Sequence, residues 1–321
     1  MTPFGYVPLA LGLLTFLLGG RLGHRLPPAA IVRLGTALAL TIAVMTGLVL
    51  GVAAALGYRT LQAAAPRAHH LIPGLPASAA TMTGAFAALV VFVLLASAVR
   101  YFLRSARSLL HASADSRRLG PIHAGLIVVD DDLPTAFAVA GVPGHVVIST
   151  AMLQALDAQE RKVLLAHEAA HLRHHHHLFI QLAQLAAAAN PLLRPLARVI
   201  AANTERWADE VAAVEVGSRV LVARGLARAA LARHAHAASA RERLLQPAAL
   251  SAALGAIDGP LADRVTLLLA PAPRRAGLVS GLVVAIALAC GVAGVTAVFQ
   301  GHQQIERLEF SANPTGGSLS R

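Results

Sequence analysis

The chain has almost no lysine: Lys162 stands alone among 27 basic residues, so arginine supplies nearly all of the formal net charge of +11. Cysteine is a single residue, Cys290, set in an apolar run; this excludes a disulfide framework and leaves the redox compartment unmarked. Charged residues make up only 13% of the 321, against 56% apolar. That balance excludes an ordinary soluble enzyme and favours one domain plus membrane spans. The scarce aromatics (4%) do not interleave with the arginines as they would on a nucleic-acid surface, so no nucleic-acid partner is expected. There is no internal repeat and no glycine-rich phosphate loop. The arginines instead flank apolar runs, as positive-inside loops do.

Crossing about 30 Å of hydrocarbon takes about 20 helical residues. Four runs qualify: about 4–20, 34–57, 82–99 and 278–299. The first has no basic residue before it and does not read as a cleavable signal peptide. Arg21, Arg25 and Arg33 follow the first run, and Arg100, Arg104, Arg107, Arg117 and Arg118 follow the third. The second connection holds only Arg59 and Arg67. Positive-inside then places residues 100–275 in the cytoplasm, within a multi-pass protein of the cell membrane. Residues 1–99 form three spans, 278–299 a fourth, and 300–321 a short extracytoplasmic tail.

Within the cytoplasmic block the sequence His167-Glu168-Ala169-Ala170-His171 has the form HExxH. At helical spacing His167 and His171 leave one face a turn apart, the separation two ligands of one zinc ion need. Glu168, one step round, is placed to activate water at the metal rather than to bind it. Asp157 and Glu160 cap this helix in capping-box style. Downstream, Asn203 or Thr204 reads as the N-cap of a new helix, with Glu205 in its first turn and Asp209 on the same face. Glu205 is then the third ligand, and Asp209 a partner that steers one histidine. One Zn²⁺ per chain is expected.

The rest of the block gives weaker signals. The basic stretch from Arg100 to Arg118 reads as a solvated helical face beside the membrane, with anionic-lipid binding as the alternative. Ile122 to Val129 reads as a strand and Asp130-Asp131-Asp132 as a turn. Ala136–Ala140 and His145–Ser149, joined by Gly141-Val142-Pro143-Gly144, read as a β-hairpin. Its exposed edge could receive an extended peptide, which makes His145, Val146 and Val147 candidates for substrate contact. Ser149 or Thr150 caps the next helix. Of the run His174 to His177, the first two fall near the face of His171 and the others point away; the run reads as a polar, partly protonated helix end, with a metal-capturing surface as the alternative. Phe179 to Ala202, broken by Pro191 and Pro195, reads as two short helices, packed on the core or half-sunk at the membrane surface, that return the chain to the HExxH helix. Gly217 and Gly225 interrupt the helical stretch beyond, and Asp263-Arg264-Val265 reads as surface capping, with a place in the substrate cleft as the alternative.

Taken together, the chain resembles the membrane zinc metallopeptidases of the BlaR/MecR type and, more distantly, the HtpX and CAAX-prenyl endopeptidases. The residues that carry the resemblance are Thr135-Ala136-Phe137-Ala138-Val139, His145 to Thr150, the HEAAH helix and Glu205-Arg206-Trp207-Ala208-Asp209. It implies a mainly α integral membrane protein bearing a cytoplasmic α+β zincin-like (gluzincin) domain with a small sheet. It implies zinc on His167, His171 and Glu205, with Glu168 as base and Asp209 in support. The activity implied is a zinc endopeptidase cutting a protein or peptide at the cytoplasmic face, in contact with the bilayer. Two rivals are a transducer that cleaves itself or a partner such as a transcriptional repressor, and a non-catalytic metal-binding scaffold. The receptors carry a penicillin-binding sensor after the fourth span, where about twenty residues follow here, so β-lactam sensing is not expected.

Overall fold

The computed structural model describes residues 7, 10–14, 27–68, 79–116, 122–141, 143–242 and 260–271, with scattered residues between 285 and 303. The expected spans at 4–20 and 278–299, and the tail 300–321, lie largely outside the described residues. Those at 34–57 and 82–99 fall within two long helices, α1 (Pro28–Ala68) and α2 (Ala79–Ser116). Each contains a segment long and apolar enough to cross a membrane, Pro28–Arg59 and Met82–Ala112. The basic stretch after Arg100 is therefore the continuation of α2, not a separate element. The two helices pack closely: a Cβ on Gly84 would collide with the backbone of Gly57. Such small-residue contacts are what let helices approach where no hydrophobic effect drives them together.

A three-stranded sheet follows, with β1 (Leu126–Val129), β2 (Ala136–Val139) and β3 (His145–Ser149) in the order β1-β3-β2. β3 pairs parallel with β1 and antiparallel with β2. The expected hairpin is therefore present, but β3 is its inner strand and all five of its residues are buried. Ser149 caps α3 (Thr150–Ala155), its Oγ accepting from the Met152 N–H at 3.1 Å. Asp131 Oδ1 accepts from the Leu133 N–H and Asp130 Oδ1 from the Thr150 hydroxyl, so two of the three aspartates serve a turn.

The helical core is built from α4 (Ala158–Arg173), α5 (His176–Ala189), α6 (Arg194–Val216), α7 (Arg219–Glu242) and α8 (Pro260–Leu269). A short 3-10 turn, Pro191–Leu193, joins α5 to α6. This α5–α6 hairpin packs against α1: Val32, Leu38 and Ile42 meet Ala183, Leu193, Leu196 and Ile200 in one cluster. Ile42 and Ile200 are fully buried. At the turn the buried Asn190 donates to Thr46 of α1 at 3.3 Å. A second cluster joins Val163 and Ala166 of α4 to Ala212, Val222, Leu226 and Leu268.

Two helix boundaries differ from expectation. Asn203 and Thr204 are not caps, because Pro191 and Pro195 start α6 a full two turns earlier. Asn203 Nδ2 instead donates to the Val199 carbonyl and Thr204 Oγ1 to that of Ala201. Gly217, with φ of 77°, does end α6 in the left-handed conformation. Gly225 interrupts nothing: it lies inside α7, where its missing side chain lets Val163 of α4 approach to 3.0 Å from the Cβ position.

Candidate active site

The HExxH helix begins where the sequence places it. Asp157 Oδ1 accepts from the Glu160 N–H at 2.8 Å and Glu160 Oε2 from the Asp157 N–H at 3.0 Å, a reciprocal capping box. With Val163, Ala166 and Ala170 buried, α4 has one orientation open to it and turns His167 and His171 towards α6. Glu205 and Asp209, one turn apart on α6, meet them there.

The donor atoms of His167, His171 and Glu205 lie within 4.8 Å of one another. The two Nε2 atoms are 3.2 Å apart, and Glu205 offers one oxygen to each, at 3.6 Å from His167 and 3.5 Å from His171. Asp209 Oδ1 approaches the other nitrogen of His167, Nδ1, at 3.0 Å, a close ionic contact rather than an aligned hydrogen bond. Two imidazole nitrogens and one carboxylate oxygen, converging from one side, are the donor set of a catalytic zinc with a position left open. Burial works against the charged forms of His167 and Glu205, yet Asp209 and then Glu205 favour the charged His167, and His167 with Arg264 keeps Glu205 ionised. His167 is pushed up to about 9 and Glu205 held down at about 2. His171, buried and facing His167 and Arg264, drops to about 4.

Arg264 is the site residue that the preferred sequence reading misplaced. Far from capping a surface, its guanidinium makes a bidentate pair with Asp209 (Nε–Oδ2 2.8 Å, Nη2–Oδ1 2.6 Å) and reaches Glu205 Oε2 at 3.2 Å. Its side chain is 17% exposed and that of Asp209 only 2%. Burial alone would raise the Asp209 carboxyl; Arg264, with His167, holds it below the usual range.

The histidine run also departs from its expected layout. α4 stops at Arg173, and His175 adopts a left-handed φ of 52° before α5 starts at His176. That break carries His176, not His175, to His171, with their Nδ1 atoms 3.2 Å apart. His176 is fully buried and lowered to about 3 by burial and the neighbouring imidazoles, so the helix end is not protonated there. His174 stacks on Trp207 at 4.7 Å, and Arg33 of α1 lies 4.8 Å from the same indole. Trp207 also meets His176, at 4.7 Å, so α1 reaches the donor cluster through the contacts Arg33–Trp207, Trp207–His176 and His176–His171.

Glu168, His167, His171 and Glu205 open onto a cleft of about 230 Å³. Burial, with Glu205 nearby, raises the Glu168 carboxyl, while His167 and the Ala138 backbone N–H act to lower it. The other wall is β2, through Ala136, Phe137, Ala138 and Ala140. The expected substrate contacts His145, Val146 and Val147 are therefore displaced: they lie on the inner strand, buried, and line no part of the cleft. The strand edge at the site is that of β2.

Residues 104–239 match Peptidase family M48. Over 139 residues the chain is 34% identical to a protein described as a Protease HtpX homolog from Acidiphilium cryptum (strain JF-5), an alignment covering 41% of this chain. It covers 48% of that protein, so the chain spans about half the length of the curated relative it matches. The likeness falls on the HtpX side of the resemblance read from the motifs. No solved structure matches the chain.

Proposed function

We propose that this chain, which carries a peptidase family M48 domain over residues 104–239, is a membrane-embedded zinc endopeptidase that cuts polypeptides at the cytoplasmic face. The observation that carries the reading is the convergence of His167, His171 and Glu205 at a cleft that also holds Glu168 and a strand edge. His167, His171 and Glu205 would hold one Zn²⁺, supplying a Lewis acid that acidifies water towards a pKa of about 7 and polarises the scissile carbonyl. Glu168 accepts the proton of the attacking water and returns it to the leaving nitrogen. Its raised pKa suits that exchange, since a base that holds its proton must also be able to release it near neutrality. Asp209 orients His167, and Arg264 keeps Asp209 and Glu205 ionised. The substrate lies extended along β2, adding a strand to the edge that β3 leaves free.

The multi-pass arrangement belongs to the same proposal: spans at 4–20, 34–57, 82–99 and 278–299, with 100–275 inside. Arginine asymmetry supports it, as do the two apolar helices α1 and α2.

The test is zinc content and cleavage of an unfolded protein by the detergent-purified chain, beside Glu168→Gln. Cleavage that vanishes in a variant still holding one zinc is the expected result. A wild-type chain that binds no zinc would overturn the reading.

A further inference from the structure

Four arginines converge on a cavity that no carboxylate lines. Arg100 and Arg104 of α2 and Arg194 and Arg198 of α6 border a space of about 300 Å³, together with Tyr101 and Gln184. Among the described residues none of the four is ion-paired. Each helix contributes its pair at i and i+4, so like charges stand one turn apart and repel unless an anion lies between them. The walls are tied together: Tyr101 and Ser105 of α2 both donate to Gln181 Oε1 of α5, the former at 2.8 Å.

The depth of the cavity identifies its occupant. On α2 the uncharged stretch from Met82 to Val99 runs for about 27 Å, close to the thickness of a bilayer's hydrocarbon. Met82, Phe86, Phe92 and Val99 on it are exposed. Arg100 is the first charged residue of α2. Ser97, on the last uncharged turn, and Arg100, on the next, both line the cavity. It therefore opens where hydrocarbon gives way to headgroups, at a wall rich in guanidinium groups, which bind phosphate through paired N–H donors.

We propose that this cavity binds a phosphate group, and that its source is the headgroup of an anionic phospholipid. The site uses no residue of the zinc cleft and stands apart from the peptidase reading, resting only on α2 as a membrane helix. A headgroup held between α2 and α6 would fix the membrane helix to the helix that carries Glu205 and Asp209.

The experiment uses the full chain in neutral detergent, titrated separately with short-chain phosphatidylglycerol, short-chain phosphatidylcholine and inorganic phosphate. Native mass spectrometry and the thermal midpoint read out binding. Phosphatidylglycerol is expected to be retained and to raise the midpoint, with phosphatidylcholine doing neither. Arg194→Gln with Arg198→Gln should weaken phosphatidylglycerol about tenfold or more, and Arg100→Gln, from the opposite wall, should weaken it independently. Arg107→Gln, on α2 but outside the cavity, should leave binding unchanged. Unaltered circular dichroism and zinc content in the variants would show that the fold persists. Equal loss with Arg107→Gln would mean diffuse surface charge and overturn the site, as would phosphatidylglycerol binding that survives all the cavity variants. Inorganic phosphate binding as tightly as phosphatidylglycerol would keep the phosphate site and overturn the lipid source.

Discussion

His176 faces His171 through their Nδ1 atoms, 3.2 Å apart, while Nε2 of His171 points to His167 and Glu205. That relationship sets the tautomers. For His171 to present a lone pair at Nε2 its proton must sit on Nδ1, where His176 Nδ1 accepts it; His176 then carries its own proton on Nε2, an atom buried without a partner. Partners of this kind typically tune metal affinity by 10–100-fold. His176→Phe should therefore weaken zinc binding by roughly that factor, whereas His176→Asn, which keeps an acceptor, should retain most of it. Competition with a chelator measures both. Equal affinities for His176→Phe and the wild type would remove the histidine from this role.

Arg264 neutralises two carboxylates at once, and one of them, Asp209, is almost wholly buried. Removing one partner of such a pair costs about 3–5 kcal/mol, because the remaining charge is stranded. Arg264→Met should show a loss near the lower end, since the arginine keeps some contact with water, read as a fall in the denaturant midpoint of the metal-free chain. Arg264→Lys should not restore it, because a single ammonium cannot make the forked contact.

Near pH 7.5 the three ligands should release about one proton on binding zinc, in addition to what zinc-bound water gives up. The sign follows from the three ligands. His167, raised to about 9, is protonated there and must lose its proton to bind. His171, at about 4, and Glu205, at about 2, are already in the binding form. The share from His167 should fade as pH rises through 9, leaving that of the water. Calorimetry in buffers of different ionisation enthalpy reads the proton count directly, and a count of zero at pH 7.5 would contradict the arrangement.

The sequence was most readable where one helix carried the whole signal. Asp157, Glu160, His167, Glu168 and His171 lie within a single capped helix, so spacing alone sets their geometry. Glu205 and Asp209 were found by the same i, i+4 logic, although the caps invoked for them were wrong: nothing local distinguishes a capping Asn203 from one bonded back to Val199. Arg264 was not legible, since it meets Asp209 across 55 positions and no periodicity reaches that far. His176 was misassigned because one left-handed residue, His175, broke the helical count. The inner place of β3 depended on parallel pairing with β1, a long-range contact that a hairpin pattern does not contain.

Ala138 offers the cleanest separation of binding cleft from scaffold. Its N–H faces away from β3 and acts to lower the Glu168 pKa, so Ala138→Pro removes a donor at the cleft without breaking the β2–β3 ladder. Two effects should follow. An edge without that donor can no longer pair fully with an extended substrate, so kcat/KM should fall. The N–H also stabilises the ionised carboxylate, so its loss should raise the Glu168 pKa further and move the acid limb of the kcat/KM profile to higher pH. Zinc content and thermal stability should stay near wild type, since neither the donor cluster nor the sheet loses a bond. A variant that keeps the wild-type acid limb while losing activity would tie Ala138 to substrate pairing alone. One that keeps both would place the substrate elsewhere than on β2.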